Sequence, residues 1–143
     1  MHQAGEKNLA DLKNHYQSSG VRGELVAFID DMARSYAEAD LVICRAGAMT
    51  VSELAAAGLA SLLVPFPHAV DDHQTANARF LSERGAAILL PQHELSPERL
   101  CALLRSLDRK KLLEMADKAK ALGKPEAARI VADRCVALAG GAA

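Results

Sequence analysis

The stretch LVICRAGAMTVSELAAAGLASLLV, residues 41–64, holds one complete strand-helix-strand cycle. Leu41-Val42-Ile43-Cys44 is short and apolar at every position, the pattern of a strand covered on both faces. A turn follows at Gly47, then a helix from about Thr50 to Ala57 that Gly58 stops, because glycine tolerates the left-handed conformation that ends helices. Ser61-Leu62-Leu63-Val64 then resumes as a second strand. Two such strands joined through a helix pair in parallel, so the fold class is α/β, a Rossmann-like parallel sheet with flanking helices.

The same cycle extends in both directions. Upstream, Leu25-Val26-Ala27-Phe28-Ile29 is a compact run of strand formers, and Asp30-Asp31 can cap a helix through Met32, Ala33, Tyr36 and Ala37. Residues 6–18 carry a weak helical pattern through Leu9, Leu12 and Tyr16, and His2-Gln3-Ala4-Gly5 before them reads as a loop. Downstream, Pro65 and Pro67 break the strand and a loop runs to Asp72. A helix through Thr75, Ala76, Phe80 and Leu81 stops at Gly85, and Ala87-Ile88-Leu89-Leu90 is the next strand. From the Ser96-Pro97 helix start the pattern is helical to the end, with a last helix after Pro125. Four strands are expected, and ligands of such sheets bind beyond the carboxyl ends of the strands.

Composition narrows the function. The 143 residues suit one domain and are short for a complete two-substrate enzyme. Seventeen Lys plus Arg balance eighteen Asp plus Glu, so no global field is available to hold nucleic acid or an anionic membrane. Two Tyr, three Phe and no Trp supply no stacking platform for bases. Cys44, Cys101 and Cys135 are odd in number and form no CxxC pair, which argues against a disulfide framework or zinc site and for three buried thiols. No apolar run approaches the roughly 20 residues that span a bilayer, and the chain opens on a polar segment, so a soluble cytoplasmic protein is expected.

Two strand-end loops carry the candidate chemistry. In the first, Cys44 to Glu53, small residues precede a helix start whose unpaired amides and partial positive charge can hold a phosphate at Ala48 to Thr50. The same residues also read as a capping box, Thr50 bonding the amide of Glu53 and Glu53 reaching back, which requires no ligand. The loop lacks the GK[ST] ending of a Walker motif. In the second loop, His68 to Asn77, Gln74 and Asn77 stand three apart and so share a helix face from which two amides can meet sugar hydroxyls. Here the plainer reading is a helix capped by Asp with a solvated first turn. His68, Asp71, Asp72 and His73 match no metal-ligand spacing, and no nucleophile or orienting group is placed beside His68.

Together Phe28 to Met32, Cys44 to Glu53, Ala55 to Leu59, Val64 to Phe66, and Gln74 with Asn77 resemble the carboxyl-terminal donor-binding domain of the MurG family. These are two-domain GT-B N-acetylglucosaminyltransferases of peptidoglycan synthesis. The resemblance covers nearly the whole chain, including the His2-Gln3-Ala4-Gly5 opening, with Met49 in place of a usual leucine. It implies that Ile29 meets the uracil edge of UDP-N-acetylglucosamine through its backbone. It further implies that Ala48, Met49, Thr50, Val51, Ser52 and Glu53 hold the diphosphate and ribose, and that Gln74 bonds the N-acetylglucosamine, with Asn77 as an additional contact.

Residues 1–143 are on this resemblance a partial UDP-sugar-binding domain, the carboxyl-terminal half of a GT-B glycosyltransferase, with 1–24 a remnant of its first half and 96–143 a helical tail. The family transfers N-acetylglucosamine to undecaprenyl-linked muramyl-pentapeptide with no metal or cofactor. The lipid-linked acceptor, the catalytic base, and an arginine and a serine for the donor are expected from parts outside this chain, so no residue here is assigned as catalytic. The parent enzyme is expected to be peripheral on the cytoplasmic face of the inner membrane. A different reading is a non-catalytic nucleotide-sugar-binding subunit of a split glycosyltransferase.

Overall fold

Alternation of strands and helices runs through the first two thirds of the chain and gives way to helices alone. In the computed structural model, which describes residues 1–140, the order is β1 (His2–Gln3), α1 (Glu6–Ser18), β2 (Leu25–Val26), α2 (Met32–Glu38), β3 (Val42–Cys44), α3 (Ala48–Ala57), β4 (Ser61–Leu63), α4 (His73–Ser82), β5 (Ala87–Leu89), α5 (Pro97–Ser106), α6 (Arg109–Leu122) and α7 (Ala127–Gly140). The last three residues of the expected helical tail lie outside the described residues. Among the described residues, no helix is long and apolar enough to cross a membrane.

The chain divides into two compact units, Met1–Glu38 and Ala39–Ala143. In the first, β1 and β2 pair in parallel, His2 opposite Leu25 and Gln3 opposite Val26. This corrects two expectations: His2-Gln3 is a strand rather than loop, and the strand predicted over 25–29 ends at Val26. The reason is local, because among the described residues β1 is the only neighbour of β2 in its sheet and its chain turns at Gly5, φ +75°, into α1. Asp31 caps α2, its Oδ1 accepting from the Arg34 amide at 2.9 Å.

The second unit holds a three-stranded parallel sheet in the order β3-β4-β5, so among the described residues the strands form two sheets and number five, not four. Leu62 stands opposite Ile43 and Ile88 in register. On that face Leu62, Val64 and Leu90 are buried together, with Ile88 and with Leu100 and Leu103 of α5 packed against them. Strand alternation turns Ser61 and Leu63 to the opposite face, and α3 and α4, the crossover helices, pack against each other. Both faces are thus covered, as uniformly apolar strands require.

The α3 helix is anchored at its far end. Gly58 adopts φ +67° and closes it with bonds from the Gly58 amide to Ala55 O and the Leu59 amide to Leu54 O, at 3.2 and 3.1 Å. Val51, Leu54 and Ala55 face the core, and α6 packs against α3 through its own buried Met115 and Ala119. Ser96 and Asp108 cap α5 and α6 by accepting from the amides of Arg99 and Lys111. The cysteines depart from expectation: Cys101 and Cys135 are exposed and Cys44 is half-buried. Cys135 lies on α7, which buries no residue, so no core receives that thiol.

Candidate functional site

The end of β3 delivers the chain to the start of α3. Gly47 sits in an extended conformation, φ −62° and ψ 147°, and the amide of Val51 makes the first helical bond, to Gly47 O at 2.9 Å. Ala48, Met49 and Thr50 therefore occupy the turn whose amides have no partner within the helix, and no side chain caps it. The capping box centred on Thr50 does not form. It requires an extended residue at the cap, and that place belongs to Gly47, while Thr50 is already helical and its hydroxyl lies 3.6 Å from where a Cβ on Gly47 would be.

Ala48, Met49, Ser52 and Glu53 line an open hollow of about 290 Å³ against this turn. Met49 is 78 % exposed and Val51 only 5 %, so Val51 packs beneath the helix start while its neighbours face outward. The Ser52 hydroxyl donates to Ala48 O at 3.0 Å, which leaves its oxygen as an acceptor.

Gln74 and Asn77, in the first turns of α4, act on the same loop. Gln74 Oε1 accepts from the amides of Ala46, at 3.2 Å, and Phe66, at 3.0 Å. Asn77 Nδ2 donates to Ala46 O at 3.0 Å. Both backbone polar groups of Ala46, a residue with no exposed surface, are thus held by side-chain amides, an arrangement that fixes which end of each amide is oxygen and which nitrogen. Sugar hydroxyls were the expected partners for this pair, and the backbone before α3 has taken part of that capacity. The amide nitrogen of Gln74 and the carbonyl of Asn77 are the groups left for a ligand.

Arg45 went unassigned in the sequence. Its Nη1 donates to Val64 O and Pro65 O at 3.3 and 3.2 Å, and its guanidinium carbon lies 5.5 Å from the centroid of the Phe66 ring. An arginine directly after a strand and before a turn was the available signal, since five donors in a planar fork suit converging carbonyls at strand ends. Beside it, burial pushes the Cys44 thiol up to about 11, so this sulfur stays protonated near neutral pH and carries no nucleophilic role.

The loop between β4 and α4 turns through Asp71 and Asp72, both left-handed at φ +52° and +51°. For residues bearing a Cβ this costs on the order of 1 kcal/mol each. The Asp72 carboxylate accepts the Thr75 hydroxyl at 2.6 Å and does not cap the α4 backbone, which amends the plainer reading of this turn. His68 stacks edge-on against Phe66 with centroids 5.6 Å apart. Among the described residues no three metal-ligating side chains come together.

Ile29 belongs to the first unit, three residues beyond the carboxyl end of β2. Its amide donates to Gln3 Oε1 at 3.2 Å, so the backbone group it retains for a ligand is its carbonyl. It lines a hollow of about 360 Å³ with Phe28, Asp30, Asp31 and Arg34 among others. Phe28 is 68 % exposed there.

Residues 1–131 match the family described as "Glycosyltransferase family 28 C-terminal domain". Two similar proteins are called UDP-N-acetylglucosamine--N-acetylmuramyl-(pentapeptide) pyrophosphoryl-undecaprenol N-acetylglucosamine transferase. One, from Aromatoleum aromaticum, is 65 % identical over 140 residues, covering 98 % of this chain and 39 % of the relative. The other, from Azoarcus sp. strain BH72, is 63 % identical over 141 residues, covering 99 % and 40 %. Among solved structures, the crystal structure of Acinetobacter baumannii MurG superposes with a TM-score of 0.87 at 45 % identity, over 92 % of this chain and 41 % of that one. The chain thus spans about two fifths of the length of the relatives it matches.

Proposed function

Because the chain belongs to the glycosyltransferase family 28 C-terminal domain family, we propose that it binds UDP-N-acetylglucosamine as the donor half of an N-acetylglucosaminyltransferase of peptidoglycan synthesis. The observation that carries this is the start of α3, where uncapped amides follow an extended glycine and open onto the hollow lined by Glu53. Fixed amide dipoles hold a diphosphate without lysine and need no reorganisation as charge builds on it. Ala48, Met49 and Thr50 receive the diphosphate, with Ser52 beside them and Val51 packed below, and the Glu53 carboxylate accepts from the ribose hydroxyls.

The Gln74 nitrogen donates to N-acetylglucosamine oxygens, and Asn77 contributes through its carbonyl. The Ile29 carbonyl takes the N3–H of uracil, the one backbone group there that Gln3 leaves open. In the whole enzyme the acceptor is a lipid-linked muramyl-pentapeptide. Its hydroxyl oxygen bonds to the anomeric carbon as the bond to the UDP oxygen breaks, the hydroxyl proton passing to a base outside these residues. The whole enzyme acts as a peripheral protein on the cytoplasmic membrane face, where that lipid is presented.

Isothermal titration tests the reading. Wild-type chain is expected to bind UDP-N-acetylglucosamine, and Glu53→Ala to weaken it by about tenfold or more, the worth of hydrogen bonds to a charged acceptor. Folded wild-type protein that releases no heat would remove the proposal.

A further inference from the structure

We infer that Arg45 is a positioning residue for nucleoside diphosphate binding, setting the peptide planes that enter α3 rather than touching the ligand. This deepens the donor reading above and rests on it for the identity of the ligand, but not for the mechanical role. Arg45 spans two strand ends: its backbone leaves β3, and its Nη1 holds Val64 O and Pro65 O beyond β4. Its guanidinium lies over the ring of Phe66, whose amide is fixed by Gln74.

Gln74 in turn holds the Ala46 amide, and Asn77 the Ala46 carbonyl. The result is a closed circuit, from Arg45 to the end of β4, on to Gln74 and back to Ala46, the residue after Arg45. Gly47 follows with nothing but its own backbone to define the first turn of α3. A glycine at that cap leaves the direction of the helix amides to whatever fixes the preceding peptide, and the circuit is what fixes it.

A lysine cannot reproduce this. Its single ammonium carries charge and donors, as Nη1 does for both carbonyls, but it lacks the planar face that stacks on Phe66. Arg45→Lys therefore separates positioning from simple charge, because a direct ion contact to phosphate survives the exchange in large part.

Amide hydrogen exchange on the ligand-free chain is the first readout, comparing wild type with Arg45→Lys and Arg45→Met. Exchange is expected to quicken at the bonded amides of Ala46 and Val51 in both variants and to stay at wild-type rates in α5 and α6. The second readout is titration with UDP and with uridine. Both variants should lose at least about tenfold in UDP affinity, one phosphate hydrogen bond's worth, while uridine affinity is unchanged. Wild-type exchange at Ala46 and Val51 in the variants, or wild-type UDP affinity in Arg45→Lys, overturns the inference. If wild-type chain binds neither ligand, the donor reading fails, and the exchange data still decide whether Arg45 positions the helix start.

Discussion

Side-chain amides do at this site what strands do elsewhere, and Asn77 shows the consequence for a single residue. Its nitrogen pairs with the carbonyl of Ala46, a residue with no exposed surface, so removing the donor leaves a buried acceptor unmatched. Asn77→Asp replaces the donor by a carboxylate and should cost about 1–3 kcal/mol, the penalty of an orphaned buried polar group. Urea unfolding without ligand measures it. Stability equal to wild type would return Asn77 to a role confined to the sugar. That Gln74 and Asn77 share a face was legible from their spacing of three. That the face meets the backbone before α3 was not, because a helical repeat gives direction about the helix axis and says nothing of which loop stands opposite. Arg45 escaped notice for a related reason, since its partners are carbonyls some 20 positions away that carry no signature in side-chain sequence.

At the scale of elements, boundaries decided what could be read. The Ser96 and Asp31 helix starts were visible because their side chains do the capping, whereas α3 is capped by a glycine three residues before Thr50, and its capping-box pattern pointed to the wrong start. The anchoring of α3 was equally hidden. At the end of α6, a Cβ on Gly123 would stand 2.7 Å from Ala55 O and 3.0 Å from Ala56 Cα, both α3 backbone atoms. With φ at −61° an alanine meets no backbone strain there, so the whole cost of Gly123→Ala falls on the packing of α6 against α3. Overpacking of this kind costs about 1–3 kcal/mol. The urea midpoint should drop accordingly, while Gly140→Ala, with nothing within 4 Å, leaves it in place. Equal midpoints for the two variants would show that α6 can shift off α3 freely.

At the scale of the whole molecule, the two units differ in what holds them. The core of buried leucines lies in Ala39–Ala143, whereas Met1–Glu38 buries no residue fully and pairs strands of two residues each. Composition could not reveal this, since the apolar run 25–29 promised a buried strand and instead presents Phe28 to solvent. A unit of this size with no core of its own opens at low free energy, so amides of α1 and β2 should exchange well before those of β4 and α3. Ile29 belongs to that weaker unit, so the proposed uracil contact would tie its stability to the nucleotide. Ligand at a hundred times its dissociation constant stabilises the binding form by about 2.7 kcal/mol. Where opening of the unit breaks the Ile29 contact, saturating UDP therefore slows exchange in α1 and β2 by at most about a hundredfold, less whatever affinity Ala48 to Glu53 keep in the opened form, and uridine at the same saturation slows it likewise. Protection that rises only around α3 on adding UDP would mean that the nucleotide is held by its phosphates and ribose alone, and would strike Ile29 from the donor site while leaving Ala48 to Glu53 within it.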